Sequence, residues 1–290
     1  MATSSDVVAG LAVGKMVSAA ALAERLVGLT RNGRLALFAD IDGTISPIAA
    51  QPDAAFVIPE AIDALSRIAA TGATVVLVTG RAADDARRMV GLDQLSYAGN
   101  HGFELLTDGL HVVRPEIEEA AKVIGEAVVE IEKLVSEAGL LGILFEDKRY
   151  TGSVHYRLSP DPNDAKSRLL PILQAVVDDR GLRLTEGRLV FEIRPSISMN
   201  KGVFVANYLE ATPHGSAVFL GDDITDVDGF VAIQVARATG SIVSGLNVGV
   251  TAGESPQQVI AEADVIVSGT SEMALALTLF ANRLDGMPDA

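Results

Sequence analysis

Two carboxylates separated by a single residue come directly after an apolar run. They are the feature that most constrains how this chain can fold. Leu35 to Ala39 predicts a buried strand, and Asp40-Ile41-Asp42-Gly43-Thr44 comes next. Because residues i and i+2 of an extended backbone point the same way, the two aspartates begin on one side, and Gly43 permits a sharp turn. Two like charges this close favour a bound cation. The alternative is an acidic turn that caps the next helix.

Continuous apolar strands alternate with helices through most of the chain. The predicted strands are 35–39, 74–78, 95–98, 217–220, 246–250 and 264–267, and the helices between them include 59–70 and 82–90. This order predicts an α/β domain with a parallel, Rossmann-like sheet covered on both faces. Ligands bind beyond the carboxyl ends of such strands, which is where Asp40, Thr79 and Asp222 fall.

Residues 111–199 follow a different order. A long amphipathic helix over 116–138 precedes strands at 141–145 and 151–158, a helix at 163–178, and strands at 182–184 and 188–193. The repeated helix-strand-strand order predicts an antiparallel sheet with helices on one face, which is an inserted α+β module. The predicted domains are therefore a helical extension at 1–30, a core at 31–110 and 200–290, and the insert at 111–199.

The open face of the inserted sheet is predicted to be polar. Strand alternation places His155, Arg157, Glu192 and Arg194 on that face, and the neighbouring turn adds Glu146 and Lys148. A solvated face with surface ion pairs is the alternative. We interpret the cluster as a binding surface for a polar, hydroxyl-rich ligand.

The strand ends of the core supply the parts of a phosphoryl-transfer site. Asp40 is a candidate nucleophile, able to take a phosphoryl group as an acyl phosphate. Asp40, the main-chain carbonyl of Asp42 and the side chain of Asp222 are hard oxygen ligands of the kind that Mg²⁺ prefers. Asp42 is the candidate general acid and base, with a pKa that repulsion from Asp40 is expected to raise.

Other side chains are expected to hold the phosphoryl group. Thr79 and the backbone N–H groups of the Asp42 and Gly80 turns can bind phosphate oxygens, and Lys201, at the start of a helix, can neutralise charge. Each part has a structural alternative, as a strand end, a surface lysine or a helix cap. We expect His101 to be a scaffold residue in the turn 99–102.

Composition excludes several classes of partner. The net charge of -15 argues against nucleic acid and anionic membranes, and the absence of cysteine suits a reducing cytoplasm. No uninterrupted apolar run of about 20 residues occurs, so no membrane span is expected. The segment 7–29 carries Lys15, Glu24 and Arg25, and we interpret it as a peripheral helix.

Four segments resemble the motifs of the haloacid dehalogenase-like phosphatases. They are Asp40–Thr44, Thr79, Lys201 and Gly221–Asp226. Further segments resemble the trehalose-6-phosphate phosphatases within that superfamily, namely Val78–Arg81, Gly99–Glu104, Glu146–Lys148 with His155–Arg157, and Glu192–Pro195 before Asn200–Gly202. The resemblance covers about Leu35 to Leu284. It departs at Val227, where the fourth motif often has an acidic residue.

The resemblance implies a fold, a reaction and a set of roles. It implies a cap domain inserted in a hydrolase core, and an Mg²⁺-dependent enzyme that converts trehalose 6-phosphate to trehalose and phosphate. The cytoplasmic location is expected from composition alone. Asp40 would be the nucleophile and Asp42 the acid/base, with Asp40, Asp42 and Asp222 as Mg²⁺ ligands and Lys201 at the phosphoryl group. The expected substrate contacts are Thr44, Gly80, Arg81, Glu146, Lys148, Arg157 and Glu192, and the expected supporting residues are Asp223, Asp226 and His101.

Three alternatives stay open on the sequence. A related phosphatase would act on sucrose 6-phosphate or mannosyl-3-phosphoglycerate. A non-catalytic sensor would bind the sugar phosphate without turning it over. A phospho-acceptor signalling domain also places acidic residues and a lysine at sheet ends, but the insert and the second aspartate disfavour it.

Overall fold

The structure is a computed structural model in which residues 14–49, 54–251 and 255–286 are described. The chain divides into two compact units. One comprises Met1–His111 with Met199–Ala290, and the other comprises Val112–Ser198.

The core unit is built on a sheet of eight strands in the order β12-β11-β10-β1-β2-β3-β4-β5. The strands are β1 Leu35–Ala39, β2 Thr74–Val78, β3 Ser96–Gly99, β4 Glu104–Thr107, β5 Leu110–Val113, β10 Ser216–Gly221, β11 Ser244–Thr251 and β12 Val265–Ser268. The pairs from β12 to β3 are parallel, and β4 is antiparallel to β3. All five residues of β1 and of β2 are buried, as their continuous apolar character predicts.

Strands β4 and β5 were not predicted, although the sequence carries a signal for them. Asp108 and Gly109, between the two strands, have φ of 50° and 74°. An Asp-Gly pair with positive φ at both positions is typical of a two-residue hairpin turn. Strand β4 alternates buried and half-buried residues and β5 is mostly exposed, so neither forms the continuous apolar run that marks the other strands.

Helices cover the core sheet. They are α1 Ala19–Thr30, α2 Pro59–Ala70, α3 Ala83–Val90, α6 Lys201–Ala211, α7 Ile224–Thr239, α8 Gln257–Glu262 and α9 Gly269–Asp285. Pro59 lies in the first turn of α2, where its missing N–H costs no hydrogen bond. Among the described residues, no helix combines the length and the hydropathy that crossing a membrane requires.

The predicted peripheral helix is part of the core. Helix α1 begins at Ala19, and Leu22, Ala23 and Leu26 are fully buried in the main hydrophobic cluster. Ahead of it, Lys15 Nζ donates to three backbone carbonyls at the end of α8, at 2.6 to 3.0 Å. Glu24 and Arg25, which argued for a surface helix, are exposed on its outer side. Residues 7–13 of the predicted segment lie outside the described residues.

The inserted unit is an antiparallel sheet with two helices packed on it. The helices are α4 Pro115–Glu137 and α5 Pro162–Asp179, and the strands β6 Leu144–Asp147, β7 Gly152–His155, β8 Leu182–Gly187 and β9 Val190–Pro195 pair in the order β6-β7-β9-β8. Side chains of both helices and of one sheet face form a separate hydrophobic cluster that includes Ile131, Val154, Leu173 and Phe191. The predicted α+β insert is therefore present.

The predicted strand 151–158 is wrong beyond His155. The backbone N–H of Tyr156 donates to Leu189, and the N–H of Ser159 donates to the carbonyl of Tyr156 at 3.2 Å, so the chain turns here. Arg157 lies in this turn and not on the strand face that its alternation predicted. Apolar alternation carried on through Leu158, but Pro160 and Pro162 favour a turn ahead of α5.

Candidate active site

A buried ion cluster lies where β1 and β10 end. Asp40 follows β1 directly and is 5% exposed, and Lys201, the first residue of α6, is 2% exposed. Lys201 Nζ donates to Asp40 Oδ1 at 2.7 Å and to Asp226 Oδ1 at 2.6 Å. Asn200 caps α6 by accepting from the N–H of Val203 at 2.8 Å. This cap fixes where α6 begins and therefore where Lys201 lies. Residues from the first and last thirds of the chain thus share one charge cluster.

Asp226 holds the loop that presents Asp222. Its Oδ2 accepts from the backbone N–H groups of Asp222 and Asp223, each at 3.0 Å, and Asp223 and Asp226 form a capping box at the start of α7. Its other oxygen accepts from Lys201. Both oxygens are thus engaged within the protein, and the supporting role of Asp226 stays a prediction that these contacts favour.

The turn after Asp42 must be glycine because Asp222 packs against it. Gly43 has φ of +93°, and a Cβ built there would lie 2.0 Å from Asp222 Oδ2. Thr44 is fully buried and donates its hydroxyl to Asp222 Oδ1 at 3.2 Å. The two acidic motifs are therefore in direct contact.

When its carboxyl groups are ionised, this cluster carries more negative charge than Lys201 neutralises. Asp40, Asp222 and Asp226 each offer an oxygen within 4.8 Å of the others. Burial, together with the neighbouring carboxylates, raises the pKa of Asp40 to about 8 and that of Asp222 to about 9. Burial alone would lower the pKa of Lys201, but Asp226 and Asp40 together raise it, so the lysine stays charged. A second cation would relieve this excess.

The donor set fits Mg²⁺. Asp40 and Asp222 present carboxylate oxygens at one point, and hard oxygen ligands with room for several waters suit this ion. The carboxylate of Asp42 is engaged by Arg81, and its main-chain carbonyl stays the predicted third ligand.

Arg81 forms a two-pronged ion pair with Asp42. Its Nε donates to Asp42 Oδ2 at 2.6 Å and its Nη2 donates to Asp42 Oδ1 at 2.7 Å. The sequence predicted only a like charge, Asp40, beside this carboxylate. The structure adds a cation, the guanidinium of Arg81, in direct contact with both of its oxygens.

Thr79 and His101 lie in two turns that are joined through their backbones. Thr79 is 1% exposed, its hydroxyl accepts from the N–H of Arg81 at 3.1 Å, and its carbonyl accepts from the N–H of His101 at 2.8 Å. His101 is buried and has φ of +57°, which suits a scaffold turn. No role was predicted for Glu104, which is 3% exposed and begins β4. Its signal in the sequence is a carboxylate set between Phe103 and the apolar pair Leu105-Leu106.

The inserted sheet carries a row of charged side chains on the face opposite its helices. Register pairs Glu146 with Ser153 and Ser153 with Glu192, so the three share one face. Lys148 Nζ lies 3.7 Å from Glu146 Oε2 and 3.9 Å from Glu192 Oε1. His155 Nε2 lies 3.2 Å from Glu146 Oε2. The predicted polar face is present, without Arg157.

Comparison with known proteins places the chain in a family. Residues 38–264 match the family model described as trehalose-phosphatase. The chain belongs to the trehalose-phosphatase family. It is 39% identical over 204 residues to a trehalose-phosphate phosphatase of Mycobacterium bovis, a match that covers 67% of this chain and 50% of that protein. The chain thus spans about half the length of the curated relatives that it matches.

Two solved structures share the fold of this chain. The Candida albicans trehalose-6-phosphate phosphatase C-terminal domain has a TM-score of 0.73 at 20% identity, covering 92% of this chain and 97% of that one. A haloacid dehalogenase-like hydrolase from Bacteroides thetaiotaomicron has a TM-score of 0.57 at 15% identity, covering 85% and 98%. The predicted α/β haloacid dehalogenase-like fold with an inserted α+β cap is confirmed.

Proposed function

We propose that the protein hydrolyses trehalose 6-phosphate to trehalose and phosphate through an aspartyl-phosphate intermediate. The observation that carries the proposal is the buried contact of Asp40 with Lys201 beside Asp222, at the carboxyl end of the core sheet. Membership of the trehalose-phosphatase family supports the choice of substrate.

In the first step a carboxylate oxygen of Asp40 attacks phosphorus. A new oxygen–phosphorus bond forms as the bond to the 6-oxygen of the sugar breaks, and Asp42 gives a proton to that oxygen. In the second step Asp42 takes a proton from water, the water oxygen attacks phosphorus, and the bond to Asp40 breaks to release phosphate. Lys201 stabilises negative charge on Asp40 and on the phosphoryl group throughout. When bound by Asp40, Asp222 and the Asp42 carbonyl, Mg²⁺ adds further positive charge there.

Arg81 and Thr79 would receive the phosphoryl group. Arg81 is bound to Asp42 in the structure, and a phosphate dianion is a stronger bidentate acceptor for a guanidinium than one carboxylate. Exchange of partners would free Asp42 for the sugar oxygen. Thr79, with the N–H of Gly80 and of the Asp42 turn, would hold the remaining oxygens.

The polar face of the cap would bind the sugar. Carboxylates accept hydrogen bonds from hydroxyls, and an ammonium donates to ring and hydroxyl oxygens. Glu146, Lys148 and Glu192 lie close enough together to contact one disaccharide. Arg157 remains a proposed contact from its turn, and a cytoplasmic location remains a prediction from composition.

Mg²⁺ affinity is expected to rise with pH between about 6 and 9. Because burial and the neighbouring carboxylates raise the pKa of Asp40 to about 8 and that of Asp222 to about 9, protons compete with Mg²⁺ for these carboxyl groups below those pH values. Each displaced proton makes the affinity rise by about tenfold per pH unit below the pKa. Calorimetric titration with Mg²⁺ across this range, in two buffers of different ionisation enthalpy, measures both the affinity and the protons released. An Mg²⁺ affinity that does not change with pH, with no proton release on binding, would contradict this prediction.

A phosphate-release panel tests the substrate. Purified protein with Mg²⁺ is expected to release phosphate from trehalose 6-phosphate in preference to sucrose 6-phosphate, mannosyl-3-phosphoglycerate and glucose 6-phosphate, and chelation should stop it. Glu192→Gln should weaken turnover of the sugar phosphate more than that of p-nitrophenyl phosphate, which has no sugar. Preference for another substrate would assign the related phosphatase activity. Binding of trehalose 6-phosphate without turnover would favour the non-catalytic sensor.

A further inference from the structure

We infer that Glu104 is a positioning residue for the Thr79–Arg81 loop, which holds phosphate in the proposed function. The inference rests on that function for its activity readout. Glu104 touches none of the proposed reacting groups. It acts through the loop that carries Arg81.

The loop between β2 and α3 is tied at successive points to the hairpin formed by β3 and β4. The carbonyl of Thr79 accepts from the N–H of His101 at 2.8 Å, and the carbonyl of Arg81 accepts from the N–H of Asn100 at 2.8 Å. The N–H of Ala83 donates to Glu104 Oε1 at 3.0 Å. The loop therefore takes its shape from the hairpin.

Glu104 ties the hairpin together as well as the loop. Its Oε1 also accepts from Asn100 Nδ2 at 2.5 Å, and its Oε2 contacts the ring Nε2 of His111 on β5. Asn100 and His101 have φ of 50° and 57°, a conformation that non-glycine residues adopt only when surrounding contacts hold it. A buried carboxylate that accepts from one of these residues supplies such a contact.

Glu104 also caps the helix that follows the loop. Ala82, the N-cap of α3, makes no side-chain capping bond. The N–H of Ala83 donates instead to Glu104, which lies on β4. A negative charge at a helix N-terminus is favourable with the helix dipole. The end of the loop and the start of α3 are thereby fixed at one carboxylate oxygen.

Packing leaves the loop and the hairpin little freedom to move apart. A Cβ on Gly99 would lie 2.3 Å from the backbone nitrogen of Ala83, and a Cβ on Gly80 would lie 2.8 Å from His101 Nε2. A Cβ on Gly102 would lie 2.6 Å from Cβ of Phe204, which belongs to the helix that begins with Lys201. Movement of the turn would therefore displace the loop and would press on the lysine helix.

Glu104→Ala tests the inference through phosphate binding. With Mg²⁺ saturating, the Kd for inorganic phosphate and the KM for trehalose 6-phosphate should each rise by about tenfold, as expected for loss of a charge-assisted hydrogen bond that holds a binding loop. The change in kcat should be smaller, and Mg²⁺ affinity should stay within about twofold, since the Asp40 and Asp222 ligands do not lie on this loop.

Two milder variants cover the case in which Glu104→Ala does not fold. Glu104→Gln keeps the shape and loses the charge, and Asn100→Gly keeps the positive φ and loses the side-chain amide; each should shift the phosphate Kd in the same direction by a smaller factor. His214→Gln is the matched control. His214 is a buried polar residue that contacts Thr74 at the other end of β2, so this variant should lower stability without changing the phosphate Kd.

The outcomes separate the inference from the proposed function. Unchanged phosphate Kd and KM in the folded Glu104 and Asn100 variants, or an equal shift in His214→Gln, would overturn the positioning role while turnover by the wild type stands. A shift in phosphate Kd without wild-type turnover of trehalose 6-phosphate would support the positioning role and overturn the proposed substrate. Failure of the wild type both to bind phosphate and to turn over trehalose 6-phosphate would overturn both.

Discussion

Asp40→Asn is expected to lower phosphate release from trehalose 6-phosphate by about 10⁴-fold or more, because the variant lacks the attacking oxygen. An amide also makes a poorer Mg²⁺ ligand than the carboxylate does. The buried hydrogen bond from Lys201 can be kept by the amide oxygen, so the fold should persist. Steady-state assays on protein prepared free of wild-type enzyme measure the loss of phosphate release. Thermal unfolding checks that the variant is folded.

Asp93→Asn is the matched control for that experiment. The side chain of Asp93 is 85% exposed and pairs with Arg87 on the surface, so its activity should stay within about twofold of wild type. Binding of trehalose 6-phosphate to Asp40→Asn should persist, because the phosphate loop and the cap residues are intact. Undiminished turnover in Asp40→Asn would remove Asp40 as nucleophile and with it the proposed mechanism.

Lys201→Met is expected to reduce both stability and activity. The change leaves Asp40 and Asp226 buried without the cation that both contact, and breaking a buried ion pair from one side costs about 3–5 kcal/mol. Removing the charge that faces the phosphoryl group should lower kcat by about 10³-fold. Urea unfolding measures the first effect, and phosphate release at saturating Mg²⁺ measures the second.

Two further variants identify the cause of the Lys201→Met effects. Lys201→Met with Asp226→Asn removes one of the unpaired charges, so part of the stability should return while activity stays low. Lys166→Met removes a lysine whose partner Glu186 is on the surface, and it should leave the free energy of unfolding nearly unchanged. A Lys201→Met protein as stable as the wild type would show that the buried cluster does not depend on this lysine.

The order of strand ends in the core could be predicted because it rests on local patterns. Continuous apolar runs such as 35–39 and 74–78 are typical of strands buried on both faces, and the polar residues after each run mark the carboxyl edge of a parallel sheet. The prediction that Asp40 lies near Lys201 rested on the position of Asp40 at that edge and on the family resemblance. Strand 151–158 was predicted too long because alternation alone does not mark where a strand stops.

Partners of individual side chains could not be predicted in the same way. Arg81 binds Asp42 across 39 positions of sequence, and Glu104 binds Ala83 across 21. Lys15 lies about 245 positions from the carbonyls that it caps. No local period relates such residues, since their contacts arise only when separate elements pack.

The sequence by itself determined the strand-helix alternation, the polar ends of the strands and the inserted module, because each depends on residues close along the chain. Only the tertiary structure decided that Arg81 pairs with Asp42, that Glu104 ties the phosphate loop to its neighbouring hairpin, and that burial raises the pKa of Asp40 and Asp222. The physical reason is that charge interactions in a low-dielectric interior depend on distance in space, and the packing of the sheet and its helices sets that distance.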